Sequence, residues 1–321
     1  MRLLFLLIFA LGFETPFVQG QEKPNPPVSK EVDPVEQKYH RILALDDEAL
    51  TKIDEWIRAS QRPDAPEAEA ISLSGKIKAQ IEPVREAYDS FILKNPEHAR
   101  ARLTYASFLT DIGEGHSALS HLIKAIEVDP TLPAAWNNLA NYYGHNGELK
   151  KAFSHYEKAI EISPNESVYY HNFGTTVFLF RKDVKEHYKI TESQVFDKAL
   201  GLYRKALQLS PKDFDLAEDV AQTYYGIRTS DRPAKMARPQ EALKAWTIAS
   251  NLAPSEFEKQ GVFIHLARVY IELKDFKEAN NTLAKVNLAV YTELKDRVGR
   301  RVPGYQPIAS PTATPTVTTK P

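Results

Sequence analysis

The sequence predicts an all-α chain in which about five helix pairs stack side by side, with capping helices at both ends. Three observations predict it. Prolines at 96, 130 and 164 fall 34 residues apart, and self-similarity at such a period marks a repeat architecture. Small residues recur in fixed slots, with Ala106 and Ala140 early in their blocks and Ala118 and Ala152 in the middle. Large residues recur between them: Tyr105 and Leu139, Leu109 and Tyr143, Leu122 and Tyr156. Alternation of small and large side chains lets two helices approach closely and fills the space around the contact.

Before the array, residues 1–20 read as an export signal. Met1-Arg2 is a short basic start, and Leu3 to Phe13 is a nearly unbroken apolar run. Val18-Gln19-Gly20 then offers small residues where a signal peptidase inspects the chain. The run is about half the roughly 20 residues that span a bilayer. The expectation is therefore a periplasmic or extracellular protein starting near Gln21, with no integral span after signal removal. Residues 21–33 read as a flexible leader. In 34–60, Leu43, Leu50, Ile53 and Ile57 lie at helical spacing beside Trp56, and Asp46 and Asp47 stand where an N-cap is wanted. Residues 61–70 form a Pro-rich break. A second helix is expected from about Ser74 to Leu93, interrupted at Pro83 and ended by Asn95-Pro96. Together 34–98 make N-terminal capping helices with a degenerate half-repeat.

The aligned blocks are 99–130 and 133–164. The second carries Trp136, Leu139, Ala140, Tyr143, Gly147, Ala152, Tyr156, Ala159 and Pro164 in fixed slots. This resembles the tetratricopeptide repeat, whose pattern those residues match throughout. A third block opens with Tyr170, Phe173, Gly174 and Val177 and closes with Ala199, Tyr203, Ala206 and Pro211. A fourth opens with Ala217, Val220, Ala221 and Tyr224 and closes with Ala242, Trp246, Ala249 and Pro254. A fifth reads Leu266, Ala267, Tyr270, Ala279 and Leu283, without a closing proline. The array thus covers 99–287, with surpluses of 13 residues near 181–193 and 9 near 228–236. The resemblance implies a right-handed α-α solenoid, since a single pair cannot bury its own apolar face. Residues 288–302 are expected to cap the far end, and the Pro/Thr-rich tail 303–321 to stay unstructured.

The family resemblance also implies a groove formed by the first helix of each block. Carried over by position, Asn137, Asn138, Asn141, His145, His171, Asn172 and Thr175 point into it. Asn138 and Asn172 share a slot one repeat apart, similar to the asparagine ladder of some family members. An amide offers both donor and acceptor, so it can pair with a peptide backbone of any sequence. The carboxylate clamp of chaperone-binding members is not matched: only Asn138 fits, and Asp215 and Asp219 have the wrong charge. The two insertions should project from one edge, made basic by Arg181, Lys182, Lys185, Lys189, Arg228, Arg232 and Lys235.

Composition bounds the chemistry. Lys plus Arg number 41 against 42 Asp plus Glu, so the basic excess of a nucleic-acid binder is missing. Local charge is less even: residues 31–70 carry a net −6, whereas beyond Asp296 there are only cations. The chain has no cysteine, which removes disulfides and thiolate metal sites. No glycine-rich phosphate loop, nucleophile elbow, HExxH motif or paired-carboxylate cleft is present. His121 and His155 repeat one slot on the second helices, where outward-facing surface positions are expected. The expectation is a non-enzymatic adaptor without metal or cofactor, binding a protein or peptide in the groove. The alternative is a structural part of a cell-envelope assembly that uses the caps or the basic insertions.

Overall fold

A computed structural model describes residues 33–60, 67–226 and 232–307, the side chains of 67–72 and 232–237 excepted. The export signal, nearly all of the leader and the end of the tail lie outside the described residues. The described chain is all α-helical, with one short 3-10 turn at Ala289–Tyr291. The helices are α1 (Pro34–Ser60), α2 (Glu67–Lys94), α3 (Ala99–Asp111), α4 (Gly115–Val128), α5 (Pro133–His145), α6 (Leu149–Ile162) and α7 (Ser167–Leu179). They continue as α8 (Arg181–Tyr188), α9 (Glu192–Leu209), α10 (Phe214–Gly226), α11 (Arg232–Leu252), α12 (Glu256–Glu272), α13 (Phe276–Ala284) and α14 (Thr292–Gly299). They belong to two compact units, Met1–Asn172 and Phe173–Pro321.

The spacing of prolines translates directly into helix ends. Pro96, Pro130, Pro164, Pro211 and Pro254 each stand two residues beyond the last residue of α2, α4, α6, α9 and α11. Proline has no N–H to extend the ladder, so it is favoured just past a helix end. The turns inside the pairs are equally regular. The Glu114 and Glu148 amides reach back to the carbonyls of Leu109 and Tyr143, across Gly113 (φ 84°) and Gly147 (φ 76°). These are helix ends closed by a left-handed glycine.

In the first unit, α3–α4 and α5–α6 are antiparallel pairs whose shared interior is built from the repeated small and large side chains. Ala106, Ala118, Ala140 and Ala152 are fully buried, and Leu109, Leu122, Leu139 and Tyr156 fill the space between them. The same core runs back through Tyr39, Ile42 and Ala49 of α1 and Val84, Tyr88 and Phe91 of α2. These two helices therefore cap the array, as expected. In the second unit, Gly174 of α7 takes the slot of Ala140, and the Tyr203 ring of α9 sits 3.1 Å from where a Cβ would be. At the far end Val298 and Val302 join Ile264, Ala267, Leu283 and Val286 in one core, which is the expected C-terminal cap.

Several expectations are corrected. Asp46 and Asp47 do not start a helix: α1 runs through them, and Asp46 is buried within it. Pro83 does not interrupt α2. It lies on the exposed face, as does Ala79 four residues earlier, so water can satisfy the carbonyl that loses its donor. The Pro-rich break is shorter than 61–70, because α2 begins at Glu67. The insertion at 181–193 is largely a helix, α8, pinned by fully buried Val184 and followed by a capping box between Thr191 and Gln194. Of 228–236, residues 232–236 belong to α11 and the rest lie outside the described residues. The tail begins later than 303: Tyr305 packs against Gly299 and donates to Asp296 Oδ1 at 2.9 Å.

Candidate functional site

On α5, Asn138, Asn141, Tyr142 and His145 are spaced at i, i+3, i+4 and i+7, which places them on one face. That face meets the α3–α4 turn, and a cleft of about 620 Å³ lies between them. Its walls are Asn138, Asn141, Tyr142, His145 and Asn146 on one side and Thr110, Gly113–Ser117 and Leu122 on the other. Glu114 is held from behind by Arg85, whose two terminal nitrogens reach its carboxylate oxygens at 3.0 and 2.6 Å. That hydrogen-bonded ion pair keeps the Glu114 carboxyl below its ordinary range and raises Arg85. Tyr142 Oη and His116 Nδ1 are 3.3 Å apart at the mouth.

The amides sort into two groups. Asn137, Asn138 and Asn172 are almost fully buried and belong to a hydrogen-bond chain inside the fold. Asn138 Nδ2 donates to Ser107 Oγ (3.3 Å), Asn137 Nδ2 to Asn138 Oδ1 (3.2 Å), and Asn172 Nδ2 to Asn137 Oδ1 (3.2 Å). This chain ties α3, α5 and the start of α7 together. The two ladder residues, Asn138 and Asn172, are therefore joined through Asn137, a link that slot matching does not show. Asn141 differs. Its Oδ1 accepts from the buried Tyr156 hydroxyl at 2.6 Å, and its Nδ2 has no hydrogen-bond partner in the chain.

The structure thus brings Asn138, Asn141 and His145 to one cleft. His145 is exposed at its rim, and His171 is half-buried. Thr175 shares a hydrogen bond with the Tyr203 hydroxyl at 3.0 Å. His116, Tyr142 and the Gly113–Ser117 turn are cleft components that slot matching missed. The i+4 spacing of Tyr142 after Asn138 was the available signal for one of them.

Around α8, a groove of about 420 Å³ is lined by residues 179–183, Lys185 and Glu192. Lys182, Lys185 and Lys189 are exposed, with Asp183, Glu186 and Glu192 interleaved. Arg181 is not a free edge cation: it donates to the Phe178 carbonyl at 2.7 Å and lies over the Phe178 and Phe196 rings. Arg228 and the side chains of Arg232 and Lys235 lie outside the described residues.

The repeated histidines are not open surface groups. His121 packs on Tyr105 with ring centres 4.7 Å apart, and His155 on Trp136 and Tyr143 at 5.3 and 5.2 Å. Burial lowers both imidazoles from their ordinary pKa. Aromatic partners on the first helices draw these side chains inward. Among the described residues, no group of three His, Asp or Glu side chains is placed to hold a metal ion, and no helix is long and apolar enough to cross a membrane.

Stacked antiparallel pairs with a buried amide chain and a cleft beside it define a helical repeat protein. Residues 133–166, the α5–α6 pair with the turn that follows it, match the tetratricopeptide repeat. Its backbone is similar to that of YrrB, described as a TPR protein with an unusual peptide-binding site. Identity there is 20%, over 62% of this chain and 90% of that one, with a TM-score of 0.46. It is also similar to pilF of Pseudomonas aeruginosa (16% identity, 78% and 99% covered, TM-score 0.49) and to MamA of Desulfovibrio magneticus RS-1 (16%, 59% and 92%, TM-score 0.44). No match is found among the curated proteins.

Proposed function

We propose that this chain is a non-catalytic scaffold or adaptor that holds an extended segment of another protein against the α5 face. The observation that carries this reading is Asn141. The residue is 6% exposed, lines the cleft, and leaves Nδ2 without a partner in the chain. A buried donor left unpaired costs on the order of 1–3 kcal/mol, and a ligand carbonyl placed in the cleft removes that cost. The cleft walls offer amides, hydroxyls and imidazoles, and its one acid, Glu114, is already paired with Arg85. Such a lining suits the neutral backbone of an internal peptide segment better than a chain end.

The test is an array of short random-sequence peptides probed with the purified chain and with Asn141→Asp. The substitution keeps the acceptor for Tyr156 and removes the donor. Binders to the native chain that lose tenfold or more in affinity with the variant support the reading. Peptides bound equally by both would overturn it. The apolar run at 3–13 supports export to the periplasm or beyond, and sequencing the N-terminus of the cell-derived protein tests that.

The α8 edge favours a second reading, a structural part of an envelope assembly. Three exposed lysines sit there on an element that the repeat pattern does not require. Crosslinking from Lys182→Cys and Lys185→Cys in the native compartment separates the two: crosslinks from α8 with none from His145→Cys favour assembly through the insertion.

A further inference from the structure

The carboxyl group of Asp46 is buried in the middle of α1, where the helix lies against α2. The Tyr88 hydroxyl of α2 donates to its Oδ2 at 2.7 Å, and its Oδ1 has no hydrogen-bond partner in the chain. Tyr88 is itself fully buried, with its ring stacked on Tyr105 of α3 at 4.8 Å. One hydrogen bond thus joins α1 to α2, and the stacked ring joins α2 to α3. A carboxylate taken out of water with a single hydrogen bond is poorly compensated, whereas the neutral acid is not.

The surroundings do not supply the missing charge. Asp47, next along α1, adds repulsion. On α2, Arg85 is held by Glu114 at 2.6 Å. On α3, Arg100 is held by Glu36 at 2.6 Å, and His98 Nε2 faces the same Glu36 at 3.2 Å. Tyr39 of α1 adds repulsion to the Tyr88 phenol, and on α2 the Asp89 carboxylate, a further negative charge, acts on Tyr105. Burial dominates, and it pushes the Asp46 carboxyl up to about 6.

We propose that the buried Asp46 carboxyl, beside Tyr88 at the α1–α2 seam, is an acid-stabilised latch that sets how firmly α1 is seated on the repeat array, so that α1 loosens as the solution passes from mildly acidic to neutral. The sign follows from linkage. A carboxyl whose folded pKa is raised binds its proton better when α1 is seated. Its stabilisation is complete below the ordinary value of 3.8 and is lost as pH rises through about 6. A shift of that size bounds the effect at roughly a hundredfold in the seating equilibrium.

Amide hydrogen exchange on the full chain, corrected for the intrinsic pH dependence of exchange, reads this directly. Protection across α1 and the facing turn of α2 at 84–92 is expected to fall by up to about tenfold between pH 5 and 7.5, with α5 and α6 unchanged. Asp46→Asn, uncharged at both values, is expected to flatten the dependence; His98→Gln is not. If Asp46→Asn retains the full pH dependence, or His98→Gln abolishes it, the latch is overturned. Should Asp46→Asn fail to fold, a carboxyl NMR titration of the native chain decides. A midpoint near 6 for Asp46 is expected, and one near 4 removes the latch.

Discussion

The indole Nε1 of Trp136 donates to the carbonyl oxygen of Pro130 at 2.9 Å. The same relationship recurs one period to either side: Arg102 Nε donates to Pro96 at 2.9 Å and the Tyr170 hydroxyl to Pro164 at 3.0 Å. Three chemically different side chains in one slot thus close the same turn, six residues after the proline that ended the preceding helix. What the repeat conserves within this chain is a donor at that reach. Trp136→Phe keeps the ring and removes the donor. It is expected to cost about 1 kcal/mol by urea denaturation, the usual net worth of one hydrogen bond.

The left-handed turn position offers a cleaner test of backbone energetics. Gly113 and Gly147 occupy it in the first two blocks, but the fifth uses Lys274 at φ 62°. A Cβ at Gly147 would meet nothing within 4 Å, so Gly147→Ala should carry only the torsional cost, about 1–2 kcal/mol. The reverse change, Lys274→Gly, relieves the same strain and is expected to raise the thermal midpoint.

The buried amide chain is expected to be structural first. Asn137→Leu removes the donor to Asn138 and the acceptor used by Asn172. A loss of roughly 2–4 kcal/mol follows from two buried hydrogen bonds broken at once. It should appear in denaturation of the free protein, with no ligand present. Asn141→Asp, by contrast, keeps its internal bond and is expected to act on binding.

Acid works against the second unit. His265 stacks on Trp246 with ring centres 4.2 Å apart and planes 9° from parallel. Burial, with Arg268 adding repulsion, holds its pKa down to about 4. A depressed imidazole stabilises the fold above its ordinary value of 6.5, and that contribution is lost as pH falls from 6.5 through about 4. The loss should be on the order of 2–3 kcal/mol, read as faster exchange in α11 and α12. His265→Phe is expected to remove it. Asp46 acts in the opposite direction over an overlapping range, so α1 and the α11–α12 region should respond to acid with opposite signs.

Much of the fold was legible because a period of 34 constrains helix ends, packing slots and turn glycines together. Ala140 and Ala152 read as close-approach residues in the sequence and are fully buried. Pro83 read as a break, yet α2 continues, because proline's cost depends on whether water reaches the orphaned carbonyl. The insertion at 181–193 read as surplus length. Its helix depends on Val184 finding a buried seat, which no count of residues supplies.

By itself, the sequence determined the repeated helix pairs, where each ends, and which slots hold small or large side chains, since these follow from local spacing and proline chemistry. Only the tertiary structure decided what the polar residues do. Asn137 and Asn141 lie one turn apart on α5 and look alike in sequence. One is spent inside a hydrogen-bond chain and the other keeps a donor free in a cleft. Asp46 reads as a helix cap and is a buried acid. A side chain's hydrogen-bond partners come from helices distant along the chain, so satisfaction, burial and charge state are set only when those helices pack.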